Sequence, residues 1–448
     1  MTSEQNKTFD LSASFKAYDV RGIVGESITS HIVESVGAAF VDTLGLAGET
    51  VLVGGDMRPS SPEFIKAFAD GAARRGANVQ LLDLISTDEL YYACGALNAA
   101  GATFTASHNP AEYNGIKMSK AGAQPISSET GLKEIQALAE KYLNSGSIPA
   151  ADVQGKISTR DVLKDYSEYL RSLVDLKGSR PLKIVVDAGN GMAGLTTPAV
   201  LGDQLLPALP FEIVPLYFEL DGSFPNHPAN PLEPENLRDL QAAVIEHGAD
   251  IGLAFDGDAD RCFVIDEKGE PVSPSAITGM VARREIARAQ AAGEETPVII
   301  HNLLTSRAVP ELVAADGGRA VRTRVGTLSS RLSWPKKEPS SAANTRRTST
   351  SAIFGTLTPA CLRPCMCWPH WASRMARCPN LAASTSPMSL PVKSIPKSRT
   401  RQEPLSGSAP ILMAKTWTWT PWTAAPSPRR TVAGGSIFVP PTRSLSYA

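Results

Sequence analysis

"TVLVGGDMRPSSPEFIKAFADGAARRGANVQLLDL", residues 50–84, decides the fold. It opens on an apolar strand, "TVLVGG". Phe64, Ile65, Phe68, Ala69 and Ala72 then recur at the spacing of one helix face. Ser60 or Ser61 suits the N-cap of that helix, Pro62 its first position and Gly76 its end. A second strand, "NVQLLDL", closes the stretch. Strand, single helix and strand in this order make a βαβ unit, which implies a sheet with parallel pairing and helices on its faces.

Working outward, the same grammar returns twice. "KIVVDAGNGMAG" (183–194), a helix from about Thr197 and "FEIVPLYFEL" (211–220) make a second unit. "PVIIHNLL" (297–304), a helix over "SRAVPELVAAD" and "RAVRTRV" (319–325) make a third. Linkers fall near 144–156 and around 267–274. The fold class is therefore α/β, with successive βαβ domains whose mixed sheets are covered by helices. A chain of 448 residues has room for two to four of them.

After Gly326 this grammar stops. Residues 327–448 hold 16 Lys and Arg but only two acids, Glu338 and Glu403. All six Trp, four of the six Cys and 16 of the 34 Pro also lie there, so the near-neutral net charge of −1 averages two unlike compositions. Proline recurs too often for helices, and neither strand nor helix periodicity persists. Such a segment cannot bury enough surface to offset its chain entropy and is expected not to pack as a domain. The cysteines of "CLRPCMC" (361–367) fit no common four-ligand zinc spacing. The scattered bases form no patch for nucleic acid. The first fifteen residues lack the basic and apolar regions of a signal peptide, and no apolar run is long enough for a membrane span. A cytoplasmic enzyme, binding neither nucleic acid nor membrane, is the expectation.

Two stretches carry chemistry. "TFTASHNPAEYNGIKM" (103–118) sets Ser107 beside His108 in a loop rich in Asn, Pro and Gly. Neighbouring side chains usually diverge, and the G-x-S-x-G elbow is missing, so a hydrolase triad is poorly supported. A loop-capping serine remains an alternative. "ADIGLAFDGDADRCFVID" (249–266) is an apolar strand that opens into Asp256, Asp258 and Asp260, followed by Arg261. Three carboxylates at alternate positions in an apolar setting call for a hard cation, Mg²⁺ or Ca²⁺. Arg261 stands where an EF-hand needs glycine, and the flanks read as strands, which favours Mg²⁺ with a phosphate as shared ligand. A solvated acidic turn is the alternative. A phosphorylated Ser107 would supply that phosphate and make the serine a phosphoryl donor.

In the order "FKAYDVRGIVG", "TASHNPAEYNGIKM", "FPNHPANP" and "DGDADR", residues 13–326 resemble the α-D-phosphohexomutases, in particular the bacterial phosphomannomutase/phosphoglucomutase branch. The resemblance implies a four-domain fold with the site in a central cleft, here truncated in the third domain. It implies a first domain over 13–146 carrying the phosphoserine loop and a second over 157–266 ending in the metal loop. A partial third domain covers 270–326. It implies that Ser107 is the phosphorylated residue, and that Asp256, Asp258 and Asp260 bind Mg²⁺ together with the Ser107 phosphate. Arg261 would contact the phosphoserine or the sugar, Tyr18 and Arg21 would line the cleft, Lys117 would assist proton transfer and His108 would orient the loop. The implied reaction interconverts hexose 1-phosphates and 6-phosphates of mannose and glucose through a hexose bisphosphate.

The family pattern breaks after "RVG" (324–326). Members continue with a histidine, a G-E-H-S sugar loop and a fourth domain with an R-P-S-N-T-E-P phosphate loop, none of which follows here. Joining the third base of each codon to the first two of the next changes the reading. Codons permitted for "TLSSRLSWPKKEPSSAANTRRTSTSAIFGTLTPA" (327–360) then allow a peptide with the missing histidine and the G-E-H-S loop, once a C is restored to a CAC codon. The same frame through "GGSIFVPPTRSLSY" allows the phosphate loop. Residues 327–448 therefore read as the translation of a single-base deletion. The alternative to a mutase is a frameshifted fragment that keeps at most metal or ligand binding.

Overall fold

The computed structural model describes residues 8–323, so the tail read as frameshifted lies outside the described residues. The first domain runs β1 (Val20–Ile23), α1 (Ser30–Leu44), β2 (Thr50–Gly55), α2 (Ser61–Arg74), β3 (Asn78–Leu84) and α3 (Thr87–Ala96). It continues through β4 (Ala100–Phe104), β5 (Tyr113–Lys120), the two-residue β6 (Gln124–Pro125) and α4 (Leu132–Ser145). With β7 (Ile157–Thr159) its sheet has the order β1-β5-β4-β2-β3-β7, and β6 pairs with β5. The pairs β2–β3, β2–β4 and β3–β7 are parallel, whereas β1–β5 and β4–β5 are antiparallel. The mixed sheet expected from the βαβ pattern is present.

Strand β2 lies buried between two helical layers. Val51 and Val53 pack into one core with α1, α2 and α4, while Leu52 faces the other with Leu90 and Ala93 of α3. A strand covered on both faces needs a continuous apolar run rather than alternation, and "TVLVGG" has one.

Two sequence readings need correction here. Ser60 stands at the N-cap of α2 with Pro62 in its first turn, as expected, but its side chain makes no cap hydrogen bond. The Ser60 hydroxyl accepts from Asn114 at 2.8 Å and that of Ser61 donates to Asp56 at 3.0 Å, so tertiary partners take both hydroxyls. Strand β7, placed by the linker position at the start of the second domain, pairs with β3 and completes the first sheet.

The second domain contains α5 (Leu163–Leu173), β8 (Leu182–Asp187), α6 (Ala193–Val200), β9 (Phe211–Leu216), α7 (Arg238–His247), β10 (Ile251–Phe255) and β11 (Cys262–Ile265). Its sheet has the order β11-β10-β8-β9, with only the β10–β11 pair antiparallel. Ile184 and Val186 of β8 enter one core and Val185 the other. Helix α6 begins at Ala193, four residues before the expected Thr197, because backbone bonds such as Gly194 N to Gly191 O start the turn directly after "GNG". The third unit, α8 (Pro274–Ala291), β12 (Val298–Asn302), α9 (Ala308–Ala315) and β13 (Arg319–Thr323), pairs β12 and β13 in parallel as the third βαβ reading requires. Among the described residues no helix is long and apolar enough to cross a membrane.

Helix α3 starts with a reciprocal capping box. Ser86 N donates to Glu89 Oε2 at 2.7 Å, and Glu89 N donates to Ser86 Oγ at 3.3 Å. Burial is the largest influence on Glu89 and pushes its carboxyl up to about 7. The folded chain therefore holds this proton more tightly than the unfolded chain, and the associated stability is full below about pH 4.5 and is lost as pH rises through 7. Glu89→Gln keeps an acceptor for Ser86 N but cannot ionise. Its unfolding temperature should fall less between these pH values than that of the parent chain. Parallel profiles by differential scanning fluorimetry would contradict this assignment.

Candidate functional site

Two loops from different domains form the site. The turn after β4 carries Ser107, and the β10–β11 connection carries Asp256 to Arg261. Parallel strands lead their C-terminal ends to the same edge, where ligand sites of open α/β sheets collect. Ser107 and Ala259 both adopt left-handed backbone, with φ of 54° and 57°, so one loop turns sharply at the serine and the other between Asp258 and Asp260. Gly257 sits so close to Ser107 O that a Cβ there would lie 2.5 Å from it, and only glycine lets the loops meet.

Asp256, Asp258 and Asp260 are all buried and present one carboxylate oxygen each within 4.8 Å of one another. The Ser107 hydroxyl donates to Asp256 Oδ2 at 2.7 Å. Arg261 pairs with Asp256 at 2.6 Å and donates to both Ser107 Oγ and His108 Nδ1. Lys117 Nζ reaches Asp258 at 2.6 Å and Asp260 at 2.7 Å. Arg21 binds the serine loop through Ala106 O at 3.2 Å and Asn109 Oδ1 at 2.5 Å. Ser107, His108, Lys117, Arg21, Asp256, Asp258, Asp260 and Arg261 thus converge, although 154 positions separate Ser107 from Arg261 in sequence. Tyr18 does not join this network among the described residues; it is 47% exposed on the turn before β1.

Burial and crowding set the electrostatics. Burial, with the Asp258 and Asp260 charges added, raises Asp256 to about 8 against the opposing pull of Arg261. Burial also acts to raise Asp258, but the charge and hydrogen bond of Lys117, with the Thr87 hydroxyl at 2.5 Å, hold it well below the usual carboxylate range. Burial, then Arg261 and Arg21, push His108 down to about 4, so its ring is neutral and its Nδ1 can accept from Arg261. Two close cations face three buried carboxylates, and Asp258 Oδ1 has no hydrogen-bond partner. An orphaned, buried carboxylate oxygen beside two further carboxylates fits a hard, oxygen-seeking dication.

Sequence reading missed several residues that build this site. Thr87 clamps Asp258 through its hydroxyl and through its amide to Asp258 O at 3.2 Å. Asp88 is buried beside the triad, and burial followed by the Asp260 and Asp258 charges raises its carboxyl well above the ordinary value. Asp56 and Arg58 are buried behind the serine loop. A charged pair directly after a fully apolar strand was the available signal for those two.

Comparison with known proteins identifies the family. The models for α/β/α domains I and II of phosphoglucomutase/phosphomannomutase match residues 12–145 and 164–269, together more than half of the chain. The chain belongs to the phosphoglucomutase/phosphomannomutase family. It is 38% identical over 316 residues to the phosphomannomutase of Vibrio cholerae, a match covering 70% of this chain and 66% of that protein. It is 37% identical over 314 residues to the phosphomannomutase/phosphoglucomutase of Pseudomonas aeruginosa, covering 70% and 64%. This member thus spans slightly under two thirds of the length of these relatives. The solved family structure from Burkholderia thailandensis superposes with a TM-score of 0.66 at 28% identity, over 80% of this chain and 76% of that one.

Proposed function

We propose that this chain carries the catalytic half of a phosphohexomutase that interconverts hexose 1-phosphates and hexose 6-phosphates, with mannose and glucose phosphates as substrates. The observation that carries the reading is the Ser107 hydroxyl, 2.7 Å from Asp256 within the buried aspartate triad. Relatives named phosphomannomutase and phosphomannomutase/phosphoglucomutase support the substrate class.

In this reading Ser107 carries a phosphoryl group. A sugar hydroxyl attacks the phosphorus, the bond to Ser107 Oγ breaks and a hexose bisphosphate forms. The second phosphate of the reoriented bisphosphate then returns to Ser107 Oγ, so one phosphoryl group leaves and one arrives per turnover. Such transfer depends on positioning and neutralisation of charge. Asp256, Asp258 and Asp260 would hold Mg²⁺, which when bound supplies positive charge to the phosphoryl oxygens. Arg261 lies on Ser107 Oγ and stabilises charge on the phosphate, while neutral His108 orients Arg261. Arg21 holds the loop from its other side, and Tyr18, an exposed residue, would contact the sugar. Despite the opposing effect of burial, Asp258 and Asp260 keep Lys117 as the ammonium, which suits it to give a proton to the departing oxygen and to recover the one released by the attacking sugar hydroxyl.

Asp258→Asn should weaken Mg²⁺ binding at least ~10-fold, because a ligand contributes no less than the outer contacts that orient it. Isothermal titration of the full chain with Mg²⁺ measures this directly. Unchanged affinity would remove Asp258 from the metal site.

A second reading concerns this chain's competence. The composition break at residue 327 supports a shifted reading frame, which would replace the sugar and phosphate loops of the family. The chain would then retain Ser107 and the aspartates but not the contacts for the distal end of a sugar phosphate.

A further inference from the structure

We propose that Arg58 is the positioning residue of the serine loop, and that through Arg58 the second domain sets the shape of that loop. This rests on the phosphoryl-transfer reading of Ser107 but adds a residue that the reading does not contain.

Arg58 lies three residues beyond β2, and its side chain is completely buried. One guanidinium nitrogen donates to Pro110 O at 2.7 Å and Tyr113 O at 2.8 Å. The other donates to Ser107 O at 3.1 Å and Asn109 O at 2.7 Å. Four carbonyls within the seven residues 107–113 therefore converge on one planar group. Asp56 lies 3.3 Å from its Nε and supplies the compensating charge. A serine in left-handed backbone, φ 54°, is uncommon and persists only where its surroundings hold it. These bonds hold both the carbonyl of that serine and the chain that follows it.

The second domain covers the guanidinium. The Phe224 ring centroid lies 5.2 Å from Arg58 Cζ, within range for a cation–π contact. Gly222 lies so near that a Cβ would stand 2.6 Å from Arg58 Cα. Phe224 also borders Gly257, the residue that touches Ser107 O from the metal loop. Arg58, Phe224 and Gly257 thus form a continuous contact from the serine carbonyl to the domain that carries the aspartates. Lysine cannot replace this arrangement, because an ammonium is a compact point charge without the planar fork that reaches separate carbonyls.

The test is hydrogen exchange by mass spectrometry on the full chain, comparing parent, Arg58→Lys and Phe224→Leu. Peptides covering 106–115 should exchange at least ~10-fold faster in Arg58→Lys, whereas those in α2 and β8 keep parental protection. Phe224→Leu should loosen the same peptides by a smaller factor, and it reports even where Arg58→Lys fails to fold. Unchanged exchange at 106–115 in Phe224→Leu overturns the coupling. Uniformly faster exchange across the first domain in Arg58→Lys overturns the positioning role, since it marks a stabilising residue only. In a frame-restored chain Arg58→Lys should lower kcat ~100-fold with KM little changed, as expected for displacement of a reacting group. A parental kcat overturns the proposal. Absence of phosphate uptake at Ser107 in the parent would overturn the phosphoryl-transfer reading alone, because exchange reports the loop without turnover.

Discussion

Ser107→Ala will lower phosphoryl transfer by roughly 10⁴-fold or more in a frame-restored chain while leaving the fold in place, because no other group can carry the covalent phosphate. Ser107 is buried on a loop, and its hydroxyl bonds to Asp256 and Arg261. Those two remain paired at 2.6 Å when the hydroxyl is removed, so no buried charge is stranded. Serine and alanine both carry a Cβ, so the left-handed backbone of this position is strained in either. The stability cost should therefore stay near ~1 kcal/mol, the net worth of one buried hydrogen bond. Mass spectrometry of the parent should find one added phosphate on the Ser107 peptide, lost on incubation with excess hexose monophosphate as acceptor. A fully active parent with unmodified Ser107 and no bisphosphate supplied would exclude the mechanism. A hydrolase would instead show an acylated serine and indifference to Mg²⁺ chelation.

The chain with its present reading frame should show little or no mutase turnover, and restoring one base before codon 327 should recover it. The expected difference is large because binding energy at the non-reacting end of a substrate is spent on aligning the reacting end. In the family reading that end is held by the sugar and phosphate loops, which follow the "RVG" of residues 324–326 and are replaced here. A coupled assay on glucose 1-phosphate and mannose 1-phosphate decides the matter. Substantial turnover by the unrestored chain would sink the proposal, as would inactivity of the restored chain with intact Mg²⁺ binding. Resequencing the codons around 325–328 tests its premise independently.

What the sequence determined by itself were features carried by local periodicity and composition. The apolar run of β2, the amphipathic face of α2 and the three βαβ units follow from spacing within one segment, and the structure contains each of them. The carboxylates of 256–260 were legible because three like charges emerge together from a buried strand, whatever surrounds them. Tertiary structure alone decided which distant groups meet. Nothing local in residues 103–118 shows that Ser107 lies on Asp256, or that Lys117 spans Asp258 and Asp260; β5 and the β10–β11 turn bring them together from separate domains. The N-cap position of α2 was legible at Ser60 but the partner of its hydroxyl was not, since Asn114 and Asp56 take hydroxyls that local rules give to the helix. The charged pair after β2 marked Arg58 but not its role, because an arginine's usual place is the surface and only the fold supplies four carbonyls and a phenylalanine ring to receive it in the interior.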